Sequence, residues 1–210
     1  MPRLVDRAMM ESAFPSMRLM RASDDRLPSN LQGAAKSFLT GIGLPRVRSA
    51  WFLIDVGFIE SESPDGLRLG RDIDLTPFES LPDGAENLIV LGEILSDAVV
   101  LDPATGTLYC LPDGHPEVRV LNQNLDTLAY FLYLLEVERP NYDYDVSSDV
   151  SNSDGAAVHL RELMIQADPA PFEGVEPAWS ETFDWWADDA PPMPTWERVL
   201  HEVHESIGSG

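Results

Sequence analysis

Apolar residues recur at helical spacing through Leu31, Ala34, Ala35, Phe38 and Leu39, one stripe on one face. Ser29 is the predicted N-cap of this helix, and Gly41 and Gly43 supply a stop before Pro45. Residues 50–58 are rich in β-branched and aromatic side chains and predict a strand, with a weaker one near 67–69 beyond the Pro64-Asp65-Gly66 turn. Two apolar runs, 87–93 and 97–102, lie few residues apart and read as an antiparallel pair. Asp102-Pro103-Ala104-Thr105-Gly106 then puts Asp at a turn start, Pro next and Gly at the end, so 107–111 continues a meander. After a second turn at Pro112-Asp113-Gly114-His115-Pro116, 118–121 predicts a further strand. Leu125, Leu128, Ala129, Leu132 and Leu135 form a helical stripe behind a polar start at 122–124.

The flanks differ from this centre. Residues 1–28 are Met-rich and slightly basic, interrupted by Pro15, and predict partial helix, docked or frayed. After Pro140, residues 141–154 are polar and acidic without a period and read as a surface loop. A helix is expected over 156–166. Two more are expected beyond the Pro- and Glu-rich stretch 168–177, one holding Trp179, Phe183, Trp185 and Trp186, the other Trp196, Val199, Leu200 and Val203. The expected organisation is an N-terminal segment, 1–28, and a single α+β domain, 29–207. Within it lie a core at 29–139, an acidic loop at 140–155 and C-terminal helices at 156–207.

With 210 residues and 44% hydrophobic content, the chain has enough apolar side chains for a real core. Charge changes the picture more. There are 36 acidic and 14 basic residues, a net charge of -22, which repels phosphate backbones and anionic lipid and argues against nucleic-acid or membrane partners. The field is uneven: residues 1–105 carry 16 acids and 10 bases, net -6, whereas 106–210 carry 20 and 4, net -16. One cysteine, Cys110, sits in an apolar run, which is the pattern of a buried, inert thiol in a reducing, cytoplasmic setting. The first residues lack a continuous apolar stretch behind their arginines, and no run reaches the ~20 apolar residues of a membrane span, so a soluble protein that stays where it is made is expected.

Catalytic and cofactor chemistry finds little support. His201 and His204 lie at i and i+3 on one predicted helix, near enough for a metal but not at the His-Glu-x-x-His spacing of zinc proteases; a solvated helix face is the competing reading. Asp143-Tyr144-Asp145 offers oxygen ligands for Ca²⁺ without the loop spacing of a calcium hand, and a solvated acidic loop is its competitor. Cys110 has no nucleophile signature around it, and no Gly-rich phosphate loop leads into a helix. No enzymatic activity, no cofactor and no metal are expected.

Several short motifs share one order with a known family. They are Leu27-Pro28, the run Phe38-Leu39-Thr40-Gly41-Ile42-Gly43-Leu44-Pro45, Val99-Val100-Leu101-Asp102 with Thr105-Gly106, Leu121-Asn122, and Asp168-Pro169-Ala170 followed by tryptophans. In this order the chain resembles the SUKH superfamily, most closely its fourth branch, over about residues 25–205. The acidic loop at 141–154 and the 188–194 stretch depart from that pattern. The resemblance implies an α+β fold with a curved, mainly antiparallel sheet backed by helices. It also implies a non-catalytic bacterial immunity protein that neutralises a cognate polymorphic toxin domain. A regulatory or scaffolding interaction module of the same fold is the alternative, and a hydrolase with an unfamiliar pocket a third reading.

For a basic, nucleic-acid-processing toxin, carboxylates arranged like phosphates would fill the substrate groove and steer encounter. The expected partner-binding residues are Tyr142, Asp143, Tyr144, Asp145, Asp149, Asp184 and Trp185, where aromatics interleave with acids. Trp179, Phe183 and Trp186 fall at helical spacing and are expected to pack on the core instead.

Overall fold

The computed structural model describes residues 3–14, 19–46, 51–58, 66–147, 150, 152–181, 184, 187 and 191–205. Among them the expected α+β class is realised as an antiparallel sheet of five strands, a smaller one of two, and helices. Helix α1 (Arg7–Ala13) starts at Asp6, whose carboxylate accepts from the Met9 amide at 2.8 Å. The amide of Leu4 donates to Asp126 at 2.6 Å, while Met10 and Phe14 enter the main core, so the N-terminal segment is docked.

Helix α2 (Gly33–Gly41) begins later than expected from Ser29. Leu31 N–H bonds to the Pro28 carbonyl, which makes residues 28–31 a turn, and Gln32 is the cap in place of Ser29. The Gln32 side chain accepts from the Ala35 amide, and its own N–H reaches the Pro103 carbonyl at 2.7 Å. The tie to Pro103 is tertiary, which local sequence does not report. Gly43 ends the helix at φ +85°, where any Cβ would run into the Met20 carbonyl. This close approach lets β1 (Leu19–Met20) pair with β2 (Leu44–Pro45).

Strand β3 (Leu53–Ile54) is shorter than the expected 50–58. The Asp55 carboxylate accepts from Gly57 N–H at 2.7 Å and bends Val56–Phe58 into a 3₁₀ turn; residue 50 lies outside the described residues. The weaker strand expected near 67–69 is a single bridge, Leu69 to Ile89. The meander is formed as expected: β4 (Ile89–Ile94), β5 (Asp97–Leu101), β6 (Leu108–Leu111) and β7 (Arg119–Asn122) follow β3 in sheet order. Asp102 closes the β5–β6 turn by accepting from the Ala104 amide at 2.8 Å and the Thr105 hydroxyl at 2.7 Å. A bulge at Val90/Gly92 brings Gly92, at φ +157°, against the Leu53 carbonyl and the Phe52 ring, a place no side chain fits.

The central strands read as continuous apolar runs because both sheet faces are buried. Ile89, Leu91, Val99, Leu101, Leu108 and Cys110 face the helices; Val90, Val100 and Leu111 face the other way. Helices α3 (Leu125–Glu138), α4 (Ser153–Ala167) and α5 (Thr195–His204) build the first layer, with Trp196 fully buried against Phe131. Ile73, Leu75, Phe78 and Leu81 cover the second face from a segment of turns to which no role attaches in the sequence. Helix α4 begins inside the stretch expected to be loop, because the Ser153 hydroxyl is buried and donates to the His204 carbonyl at 2.9 Å.

The helix expected around Trp179 is not formed in the described residues of that stretch. Ser180 N–H closes a turn on the Pro177 carbonyl, and Ala178 N–H donates to the Glu197 carboxylate at 3.1 Å, a tertiary bond in place of a helical one. The Trp179 ring stacks on His204, while Phe183, Trp185 and Trp186 lie outside the described residues.

Candidate functional site

Four of the seven residues expected to meet a partner cluster at the C-terminal end of α3. Asn124 caps the start of that helix by accepting from the Asp126 and Thr127 amides. At the other end, Pro140 lies in a 3₁₀ turn (Arg139–Asn141) that redirects the chain. Arg139 organises the segment beyond this turn: its Nε donates to Asp143 at 2.6 Å and its guanidinium lies 3.6 Å from Glu136.

Tyr142 is a correction. It is 3% exposed, its hydroxyl donates to the Leu135 carbonyl at 2.8 Å and accepts from Trp51 Nε1 at 3.2 Å, and burial pushes its phenol well above the ordinary value. A ring enclosed by its own fold presents no area to a partner. Asp143 is likewise committed inward, since its second carboxylate oxygen accepts from the Asp145 amide at 2.8 Å and its carbonyl accepts from Val146 and Ser147. These bonds fix the backbone of the tip at residues 144–146, so little ordering remains to be done on binding.

The outer side of this helix end carries the exposed groups. Tyr144 is 45% exposed and Val146 and Val137 48% each, large apolar side chains in water, with Asp145 also exposed and Glu138 half-buried. Glu136 is half-buried, and burial raises its carboxyl against the opposing pull of Arg139. Val137 and Val146 are not among the residues expected to meet a partner. Val146 was findable as an apolar residue in a polar loop; Val137 was not, because Phe131 and Leu134 also lie off the α3 stripe and are buried. Asp184 is exposed and its carbonyl accepts from Ala187 N–H at 3.3 Å; Asp149 and Trp185 lie outside the described residues.

Cys110 is buried, its thiol 2.9 Å from the Thr195 hydroxyl, and burial pushes it far above the ordinary thiol value, the opposite of an activated nucleophile. His204 stacks on Trp179 at 5.2 Å between ring centroids, and His115 Nδ1 accepts from Glu117 N–H. No group of three or more metal-ligating side chains converges among the described residues, and no described helix is long and apolar enough to cross a membrane.

The family model of the SUKH-4 immunity protein matches residues 5–187. The chain belongs to the SUKH-4 immunity protein family. No curated protein and no solved structure shows significant similarity to it. The match to SUKH-4 starts before α1 and takes in the whole sheet, α3, the helix-end tip and α4, but stops short of α5. A toxin-neutralising immunity role goes with the family, and with it a cognate toxin as partner. In this SUKH-4 chain one buried cluster joins α1, the sheet and α3 to α5.

Proposed function

We propose that this SUKH-4 protein neutralises a basic, nucleic-acid-targeting toxin domain of a polymorphic toxin system. It does so without catalysis, in the cytoplasm, by covering the toxin's substrate groove. The helix-end tip is the contact that carries the reading: Tyr144 and Val146 stand exposed beside Asp145 on a backbone held by Arg139 and Asp143. Such a tip combines the aromatic anchor, apolar rim and negative charge that suit a cationic groove built for phosphate. The net charge of -22 supports steering at long range, screened as salt rises. Asp149, Asp184 and Trp185 are further proposed partner contacts, on their acidic and aromatic character in the sequence.

The test is co-purification from the native host with mass spectrometry of the captured protein, at low and high salt, alongside a Tyr144→Ala/Asp145→Asn variant. Capture of a toxin that loses activity when bound, with capture reduced by salt and by the variant, is the expected result. Capture of housekeeping proteins alone would favour the regulatory or scaffolding module instead. Toxin affinity unchanged in the variant would remove the tip from the interface.

A further inference from the structure

A groove of about 510 Å³ opens on the second sheet face, at the end of the β5–β6 pair and beneath the segment carrying Ile73 and Phe78. Its accessible floor is apolar: half-buried Ala98 with Ile73 and Phe78 from the covering segment, above the buried Leu111 that opposes Ala98 in the ladder. Two carboxylates line it, Asp74 and Asp113, and neither has an ion pair with a described cation. Asp74 uses one oxygen to accept from the Thr76 amide and hydroxyl, which holds its carboxyl below the usual range and therefore charged. Asp113 is exposed and its backbone N–H donates to Asp97 at 3.1 Å, so the position is anchored while no carboxylate bond to a described residue occupies it. The nearby arginines are spent elsewhere, Arg198 on Asp97 and Arg119 on Glu117.

Ser96, from the β4–β5 turn, lines one side of the groove. Leu95 and Ser96 form the two-residue β4–β5 turn with φ +50° and +73°, a conformation that Asn-Gly usually fills. Arg198 holds this turn by donating to the Leu95 carbonyl at 3.1 Å while gripping Asp97 on both oxygens.

We infer that this groove receives an arginine side chain presented by a basic protein partner, its stem on Ala98, Ile73 and Phe78 and its guanidinium on Asp74 and Asp113. The apolar floor suits the methylene stem, and unneutralised carboxylates suit the planar, weakly hydrated cation. In the cell the arginine belongs to the toxin proposed above, and in that respect alone the inference rests on that reading. The groove lies on the face opposite α3 and is a separate contact from the helix-end tip.

The test needs no toxin. The isotope-labelled full chain is titrated with Nα-acetyl-arginine amide and, separately, with its uncharged citrulline analogue. Expected are saturable amide shifts at Ser96, Ala98 and Leu111 with an affinity on the order of millimolar, at least about tenfold weaker for citrulline. Both Asp74→Asn/Asp113→Asn and Ala98→Leu should lose the response. Shifts scattered over the acidic surface, or equal for citrulline, or unchanged in the double variant, would overturn the inference; if Ala98→Leu does not fold, the carboxylate pair still decides. Failure here leaves the helix-end reading standing. A toxin bound through Tyr144 with affinity untouched by the double variant would remove the groove from that complex.

Discussion

The hydroxyl of Tyr142 donates to the carbonyl of Leu135 at 2.8 Å, which pins the chain after α3 to the last turns of that helix. Because the same oxygen accepts from the half-buried Trp51 indole, removing it takes a partner from two groups at once. Tyr142→Phe should lower unfolding free energy by about 1–2 kcal/mol. Tyr144→Ala, two residues on and in water, should change it by less than about 0.5 kcal/mol. Denaturant titration of both variants checks the contrast, and equal losses would refute the inward and outward assignment.

Glu197 is fully buried and pairs with Arg161 at 2.6 Å, yet burial outweighs that pairing and raises its carboxyl above the ordinary 4.5. A carboxyl raised on folding binds its proton more tightly in the native state, so its contribution to stability is full below pH 4.5 and is lost as pH climbs through the raised value. Glu197→Gln should therefore show a shallower fall of melting temperature from pH 4.5 to 7 than the parent. A parallel pair of curves would contradict this.

Asp168 accepts from Gln123 N–H at 2.7 Å, from the Thr127 hydroxyl at 2.8 Å and from Asn122 at 3.4 Å, joining β7, the start of α3 and the end of α4. Asp168→Ala removes the shared acceptor of the buried Asn122 and Thr127 side chains and should cost about 2 kcal/mol or more by equilibrium unfolding.

The Thr195 hydroxyl donates to Asp97 at 2.8 Å, which leaves the Cys110 thiol to donate to Thr195. An aromatic disulfide reagent should label Cys110 no faster than the protein unfolds. Rapid labelling under native conditions would show an open route that this packing does not contain.

Leu95→Asn/Ser96→Gly supplies the residues that the β4–β5 turn prefers and should raise stability by roughly 1 kcal/mol, read as a shift in denaturation midpoint.

The meander was legible because its signals are local. Asp102, Pro103 and Gly106 each have a backbone reason to sit where they do, and the α3 stripe repeats at helical spacing behind Asn124. The Trp179 region misled for the same reason: aromatics at helical spacing counted toward a helix, while the Ala178 amide was claimed by Glu197 from another element. Tyr142 and Tyr144 look alike in the sequence, each followed by an aspartate. Only the position of Leu135 and Trp51 in space turns one inward and leaves the other out.

What the sequence determined by itself is the α+β class, the antiparallel order of the central strands, the acidic field and the family pattern. All of these depend on period, turn chemistry and composition, which act between near neighbours. Tertiary structure alone decided which carboxylates are used up: Asp97, Asp143, Asp168 and Glu197 are held by groups of the fold, whereas Asp74, Asp113 and Asp145 are left facing water or a groove. A carboxylate's role is set by the donors and the solvent within hydrogen-bond reach of it, and contacts between residues 98 positions apart, such as Thr195 and Asp97, leave no trace in local pattern.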